Sequence, residues 1–247
     1  MLLPGTPSDE VADVLAAGDG AITTTFVSMA TRHPDGTDAE YLRWHTLDHR
    51  PEQHRLSAVR ASLRLVSTPD CRANRAVRHE RFDAVDHVMT YFFSDIAGLD
   101  GFLSLSAALG GAGRKLPLLP HVERGVYGVQ SRVAAARVKV GADVLPWWPS
   151  RGVYLLLESH GAPTAELVKV EGVAGVWSMA ALGVSPQLAS APAGQQLTYC
   201  FLDEDAVATA ARLRPVLEKR WSAAGIEPLL AAPFYPVVPH EWSRYVP

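Results

Sequence analysis

Thr90-Tyr91-Phe92-Phe93-Ser94-Asp95 and Thr198-Tyr199-Cys200-Phe201-Leu202-Asp203 agree at four of six positions without a gap, and such self-similarity marks a duplicated architecture. Each hexapeptide is largely β-branched or aromatic, as a strand requires. Each runs into a helical pattern, near Leu99–Leu109 after the first and Glu204–Ala223 after the second.

Working outward, the same order of elements recurs. Upstream of the first match the sequence predicts a strand near Ile22–Met29, a helix over Asp38–Leu56 and a strand near Val59–Val66; downstream of its helix, a strand near Gly125–Arg137. Around the second match the corresponding strands fall near Val153–Glu158, Val173–Ala181 and Leu229–Val237, with a short helical turn near Thr164–Val170. Thr37-Asp38-Ala39-Glu40 has the form of a capping box, and Gly225 suits a helix C-terminus. Both halves read βαββαβ, the ferredoxin-like pattern of an antiparallel four-stranded sheet with its helices on one face. The other face is then bare and apolar, so two units bury those faces against each other. The expected fold class is α+β: two tandem ferredoxin-like repeats packed sheet-to-sheet within one chain. Residues 1–140 form the first repeat, 141–150 a linker whose Trp147 and Trp148 clamp the halves, and 151–247 a second, degenerate repeat. The degeneracy is local. About 29 residues separate the first two strands of the first half and about 14 those of the second, too few for a full helix.

Composition bounds the function. With 247 residues, 48% hydrophobic and 20% charged, the chain is of ordinary globular type. No apolar run approaches the roughly 18 residues a membrane helix needs. A net charge of -3 leaves no basic footprint for nucleic acid. Met1-Leu2-Leu3-Pro4-Gly5-Thr6 lacks the basic and apolar regions of a secretory signal, so a cytoplasmic location is expected. Cys71 and Cys200 are too few and too far apart for a disulfide framework or redox motif. Residues 1–150 hold 16 of the 23 Lys/Arg, 17 of the 26 Asp/Glu and seven of the nine His, which places the titratable chemistry in the first half.

That chemistry concentrates on one helix. Tyr41, His45, Asp48, His49, Glu52 and Leu56 fall within about a third of its circumference, a polar stripe where a core-facing helix is normally apolar. Pro51 has no N–H for the Leu47 carbonyl and costs a regular helix about 3 kcal/mol, so the backbone is expected to kink just after His49.

Tyr41-Leu42-Arg43-Trp44-His45-Thr46-Leu47-Asp48-His49-Arg50-Pro51-Glu52, followed by a strand from Val59, resembles the EthD-like pattern of the dimeric α+β barrel superfamily. In that pattern a helical Trp is followed five residues on by His, then Pro and Glu; here these are Trp44, His49, Pro51 and Glu52. The resemblance implies a pocket between sheet and helices, used across the superfamily for cofactor-free oxygenation, cyclisation, isomerisation, decarboxylation or haem chemistry. The expectation is a cofactor-independent enzyme doing acid/base chemistry on a small apolar or aromatic carbonyl compound. His49 is the acid or base, because an imidazole exchanges protons near neutral pH. Glu52, one turn on, orients it. Trp44 walls the pocket, and His45, Tyr41 and Tyr91 line it, although the match of Tyr91 with Tyr199 also suits a shared packing role.

Three other readings stand beside this one. His45 and His49 at i, i+4 could chelate zinc, but no third ligand is identifiable and none is assigned. Haem is the alternative cofactor; the second repeat would need an axial histidine, for which only His160 and His240 are available. A non-catalytic protein binding a hydrophobic ligand is the third. Each takes a small hydrophobic molecule as partner, with homodimerisation of the whole chain left open.

Overall fold

Strand alternation decides how the sheets meet. In the computed structural model, which describes residues 21–185 and 187–245, the strands are β1 (Thr24–Ala30), β2 (Val59–Val66), β3 (His87–Phe93), β4 (His121–Ala134), β5 (Gly152–Glu158), β6 (Val173–Ala181), β7 (Gln196–Leu202) and β8 (Pro228–Pro236). The reading of Met1–Thr6 lies outside the described residues. All pairings are antiparallel and the order β1-β3-β2-β8-β5-β7-β6-β4 closes into a barrel. Each half has the order fourth-first-third-second. The two halves join edge to edge along β2–β8 and β4–β6. Sheet-to-sheet burial is therefore achieved by wrapping both sheets around a common core, which leaves no free edge.

That core is filled by one phase of every strand. Val27 and Met29, Ala61 and Leu65, Val88 and Phe92, Tyr127, Leu155, Trp177, Tyr199, Phe201 and Phe234 all point inward. The opposite phase faces helices. In the second half, α4 (Ala206–Ala224) lays Leu213, Leu217 and Trp221 on Tyr154, Leu156, Val176 and Cys200 without a gap. Asp205 caps α4 by accepting from the N–H groups of Val207 and Ala208 at 3.0 and 2.9 Å, and Gly225 closes it at φ 62°. Between β5 and β6 only a 3-10 turn, Ala165–Lys169, remains of a first helix.

The matched hexapeptides are one residue out of structural register. Phe93 pairs with Thr24 at the start of β1, and Leu202 with Gly152 at the start of β5, so Phe93 corresponds to Leu202 and Tyr91 to Cys200. Tyr199 points into the barrel and Tyr91 points out of it toward the helices. A slip of one residue exchanges the faces of a strand, so the two tyrosines share no packing role. The linker tryptophans do bridge: Trp147 Nε1 donates to the Arg60 carbonyl at 3.2 Å, and Trp148 packs on the barrel core.

Helix α1 (38–53) begins as α-helix at Asp38–Trp44, widens to a π turn at His45–His49 and ends as α-helix at Arg50–Gln53. The irregularity that Pro51 imposes thus lies before it: the Arg50 N–H donates to the His45 carbonyl, five residues back. Thr37 makes no side-chain cap. Instead the Asp38 carboxylate accepts from the His33 N–H at 3.1 Å and from His87 Nε2 at 2.6 Å. Two further helices complete the set, α2 (Pro69–Ala73) and α3 (Gly98–Gly111). Among the described residues no helix is long and apolar enough to cross a membrane.

Candidate functional site

Where α4 fills its sheet, α1 and α3 leave a space. A cavity of about 230 Å³ lies on the helix-facing side of the first-half sheet. The sheet supplies Phe26 and Ser28 from β1, Arg64 from β2, Met89 and Tyr91 from β3, and His121 and Arg124 from β4. Tyr41, His45 and His49 descend from α1, Phe102 and Ser106 from α3, and Lys115 and Leu118 from the connection after it. The second half contributes Gln187 and Leu188 from the β6–β7 connection.

Two imidazoles meet there. The rings of His45 and His49 are 5.5 Å apart, and the Tyr91 hydroxyl stands 3.5 Å from His45 Nε2. The Nδ1 atoms of both histidines are buried without a partner. Burial, reinforced by Lys115 and opposed by Asp48, pulls His49 down to about 4. Burial and then Arg64 hold His45 well below the usual range. Both are neutral at pH 7 and able to accept a proton. Burial pushes the Tyr91 phenol up, so it stays protonated. His121, pulled down to about 4 by burial and Arg124, accepts from the Arg124 guanidinium at Nε2 and lies 3.3 Å from Ser28 Oγ.

Tyr41, His45, His49 and Tyr91 thus converge on one cavity, and Trp44 and Glu52 stand outside it. Trp44 stacks behind His49, ring centroids 5.0 Å apart, and its Nε1 donates to the Arg114 carbonyl at 3.2 Å. Glu52 does not reach His49; its carboxylate pairs with Arg55 at 2.9 Å and Arg114 at 3.3 Å. The carboxylate is drawn instead to the two guanidinium groups, one on the following turn and one on the connection after α3. Arg114 also binds Asp48 at 3.1 Å and so straps the connection after α3 onto α1.

Arg64, Lys115, His121 and Arg124 were not singled out in the sequence. For Arg64 a signal existed: it alternates with Ala61, Leu63 and Leu65 on β2, a charge on the face that helices cover. Loop residues Lys115 and Gln187 carry none.

Among the described residues no group of three or more His, Cys, Asp or Glu is placed to hold a metal, His45 and His49 included. The residues also do not fit a haem. The helix face of the second-half sheet is filled, and its two imidazoles are remote and exposed, His160 against Ser159 and His240 against Trp242. The first-half cavity exceeds only modestly the roughly 150 Å³ that holds one benzene.

No protein-family model matches the chain, and no curated protein matches it. Solved structures do. A protein assigned as a chlorite dismutase superposes with a TM-score of 0.53 at 10% identity, over 92% of this chain and 100% of that one. An anthrone oxidase-like protein superposes at 0.46 with 13% identity over 88% and 92%, and a dye-decolorizing peroxidase from Bacteroides thetaiotaomicron at 0.47 with 10% identity over 92% and 96%. The first of these likenesses establishes the dimeric α+β barrel fold, and fold alone does not assign chemistry.

Proposed function

We propose that the cavity is the active site of a cofactor-independent enzyme that performs proton transfer on a small aromatic or apolar carbonyl compound, in a cyclisation, isomerisation, decarboxylation or lyase reaction. His49 is the general base and His45, 5.5 Å away, the second proton carrier, with the Tyr91 hydroxyl beside it. The observation that carries this reading is the pair of neutral imidazoles, each with an unpartnered ring nitrogen, on the wall of a cavity floored by Phe26, Met89 and Phe102. An imidazole so depressed accepts a proton readily only from an acidified carbon. Arg64 supplies the acidification, because a cation beside a developing enolate stabilises it in a site that excludes water. The general base then takes the proton and returns it at another atom or to a leaving group.

Solvent-deuterium incorporation next to the carbonyl of a small panel of aryl ketones and β-keto acids, followed by NMR, tests the step without knowledge of the natural product. The wild type should exchange. His49→Ala should exchange at least about 100-fold more slowly, the usual worth of a positioned base. Equal exchange rates in the two proteins would remove His49 from the role. Binding of the panel without exchange would favour a protein that only sequesters its ligand.

A further inference from the structure

We propose that the ligand of this cavity is an aromatic mono-anion, a carboxylate or an equivalent phenolate or enolate, whose charged oxygens dock on the guanidinium of Arg64. The proposal rests on the reading of the cavity as the functional site and adds what it selects.

Arg64 is only 4% exposed and lines the cavity, and its Nε has no partner. One terminal nitrogen lies 3.4 Å from His87 Nδ1, and the guanidinium sits 5.2 Å from the centroid of the Tyr41 ring. Neither neighbour is a carboxylate. Asp38, the acid behind them, is held by His87 and the His33 N–H and acts on Arg64 only as a charge at longer range, with no direct ion pair. Elsewhere arginines away from solvent meet acids: buried Arg75 lies 3.7 Å from Asp86 and half-buried Arg220 lies 3.3 Å from Glu158. A buried cation without a counter-charge is unfavourable unless something brings one, and the planar fork of an arginine fits two oxygens of one anion.

The remaining charges agree. Lys115 and Arg124 also line the cavity, and their partners are Ser106 Oγ at 3.2 Å and His121. Among the described lining residues there is no Asp or Glu. Arg124, Ser28, Met89 and Arg64 form one row across the sheet, and the next row on the same face holds Phe26 and Tyr91 under Phe102, with Tyr91 and Phe102 rings 4.7 Å apart, which suits a flat apolar body. One charged end and one aromatic end define the ligand class.

The test uses the full chain and two probes of equal shape, 1-naphthoate and 1-naphthamide, with binding measured by calorimetry at pH 7.5. The wild type should bind the acid at least about tenfold more tightly than the amide, the scale of one charged hydrogen-bonded contact. Arg64→Met should abolish the preference, the acid losing at least about tenfold more affinity than the amide. Arg64→Lys, which keeps charge and loses the fork, should retain part of it. Equal binding of the two probes by the wild type, which needs no variant to fold, would overturn the proposal; so would an undiminished preference in Arg64→Met. The same pair offered to His49→Ala separates the two ideas. If the preference persists there while deuterium exchange is unaffected by the substitution, the catalytic reading fails and the anion site stands. If naphthamide binds as tightly as naphthoate and exchange still needs His49, the anion site fails and the catalytic reading stands.

Discussion

His49 is kept neutral by two different neighbours, the apolar surroundings that deny its cation water and the ammonium of Lys115 that repels it. The second can be removed alone. In Lys115→Met the imidazole should titrate measurably closer to its ordinary value near 6.5, read from its ring proton shifts across pH; an unmoved titration would leave burial as the sole cause. Depressed histidines also shape acid stability. An imidazole whose native pKa lies below its unfolded value takes up its proton on unfolding, so the native state is at full strength above about 6.5 and loses ground as pH falls toward 4. His45, His49 and His121 all shift in this direction. The urea midpoint should therefore drop between pH 7 and pH 5. The drop should shrink in His121→Asn, and an undiminished slope there would show that the native His121 titrates normally. Bound naphthoate would oppose the effect, since an anion on Arg64 relieves the repulsion on His45.

At the scale of elements, glycine sets how near the helices approach. A Cβ on Gly152 would stand 2.5 Å from Ala206 Cβ and 3.2 Å from the Phe234 carbonyl, because α4 starts directly against β5. Gly152→Ala should destabilise by about 1–3 kcal/mol, the usual cost of overpacking, measured as a lowered denaturation midpoint with unchanged secondary structure. Most elements were legible from local pattern: β-branched and aromatic runs gave every strand to within a few residues, with β4 displaced toward the N-terminus, and Gly225 ended α4 where expected. The common order of elements in the two halves was legible and the register between the matched hexapeptides was not. Matching Tyr91 with Tyr199 compares identities, whereas a strand is defined by which phase faces the core, and Thr90 meets Tyr199 directly inside the barrel. The polar stripe of α1 likewise pointed to the cavity through His45 and His49. It failed for Glu52, because helical spacing places a side chain on a face but does not say which charges it meets there, and Arg55 and Arg114 take its carboxylate. Arg64 escaped because, with Arg60 four residues before it on the same phase of β2, it reads as part of a solvated strand face until something is known to cover it.

At the scale of the whole molecule, the two joints of the barrel are unequal. Across β4 and β6 the ladder runs from Tyr127 opposite Ala181 to Ala134 opposite Gly175, whereas β2 and β8 face each other only at Leu65 opposite Pro236 and Val66 opposite Tyr235. Pro228, Pro233 and Pro236 have no N–H to donate to a ladder, which further weakens the β8 edge. Native-state hydrogen exchange should find Val66 and Val237 less protected than Val133 and Ala135, and comparable protection at both joints would contradict this. The Val237 N–H donates to the carbonyl of Arg64 at 3.0 Å, so an anion docked on Arg64 should slow exchange there. The β6–β7 connection has a different consequence. Gln187 and Leu188 line a cavity whose His45, His49 and Arg64 belong to the other half, so part of the wall that a ligand meets is encoded more than a hundred positions away from those groups. Substitutions in 182–195 can retune the range of accepted molecules while α1 and β2 stay untouched, which makes that loop the place to look for divergence among descendants of this chain and the place to begin in redirecting it.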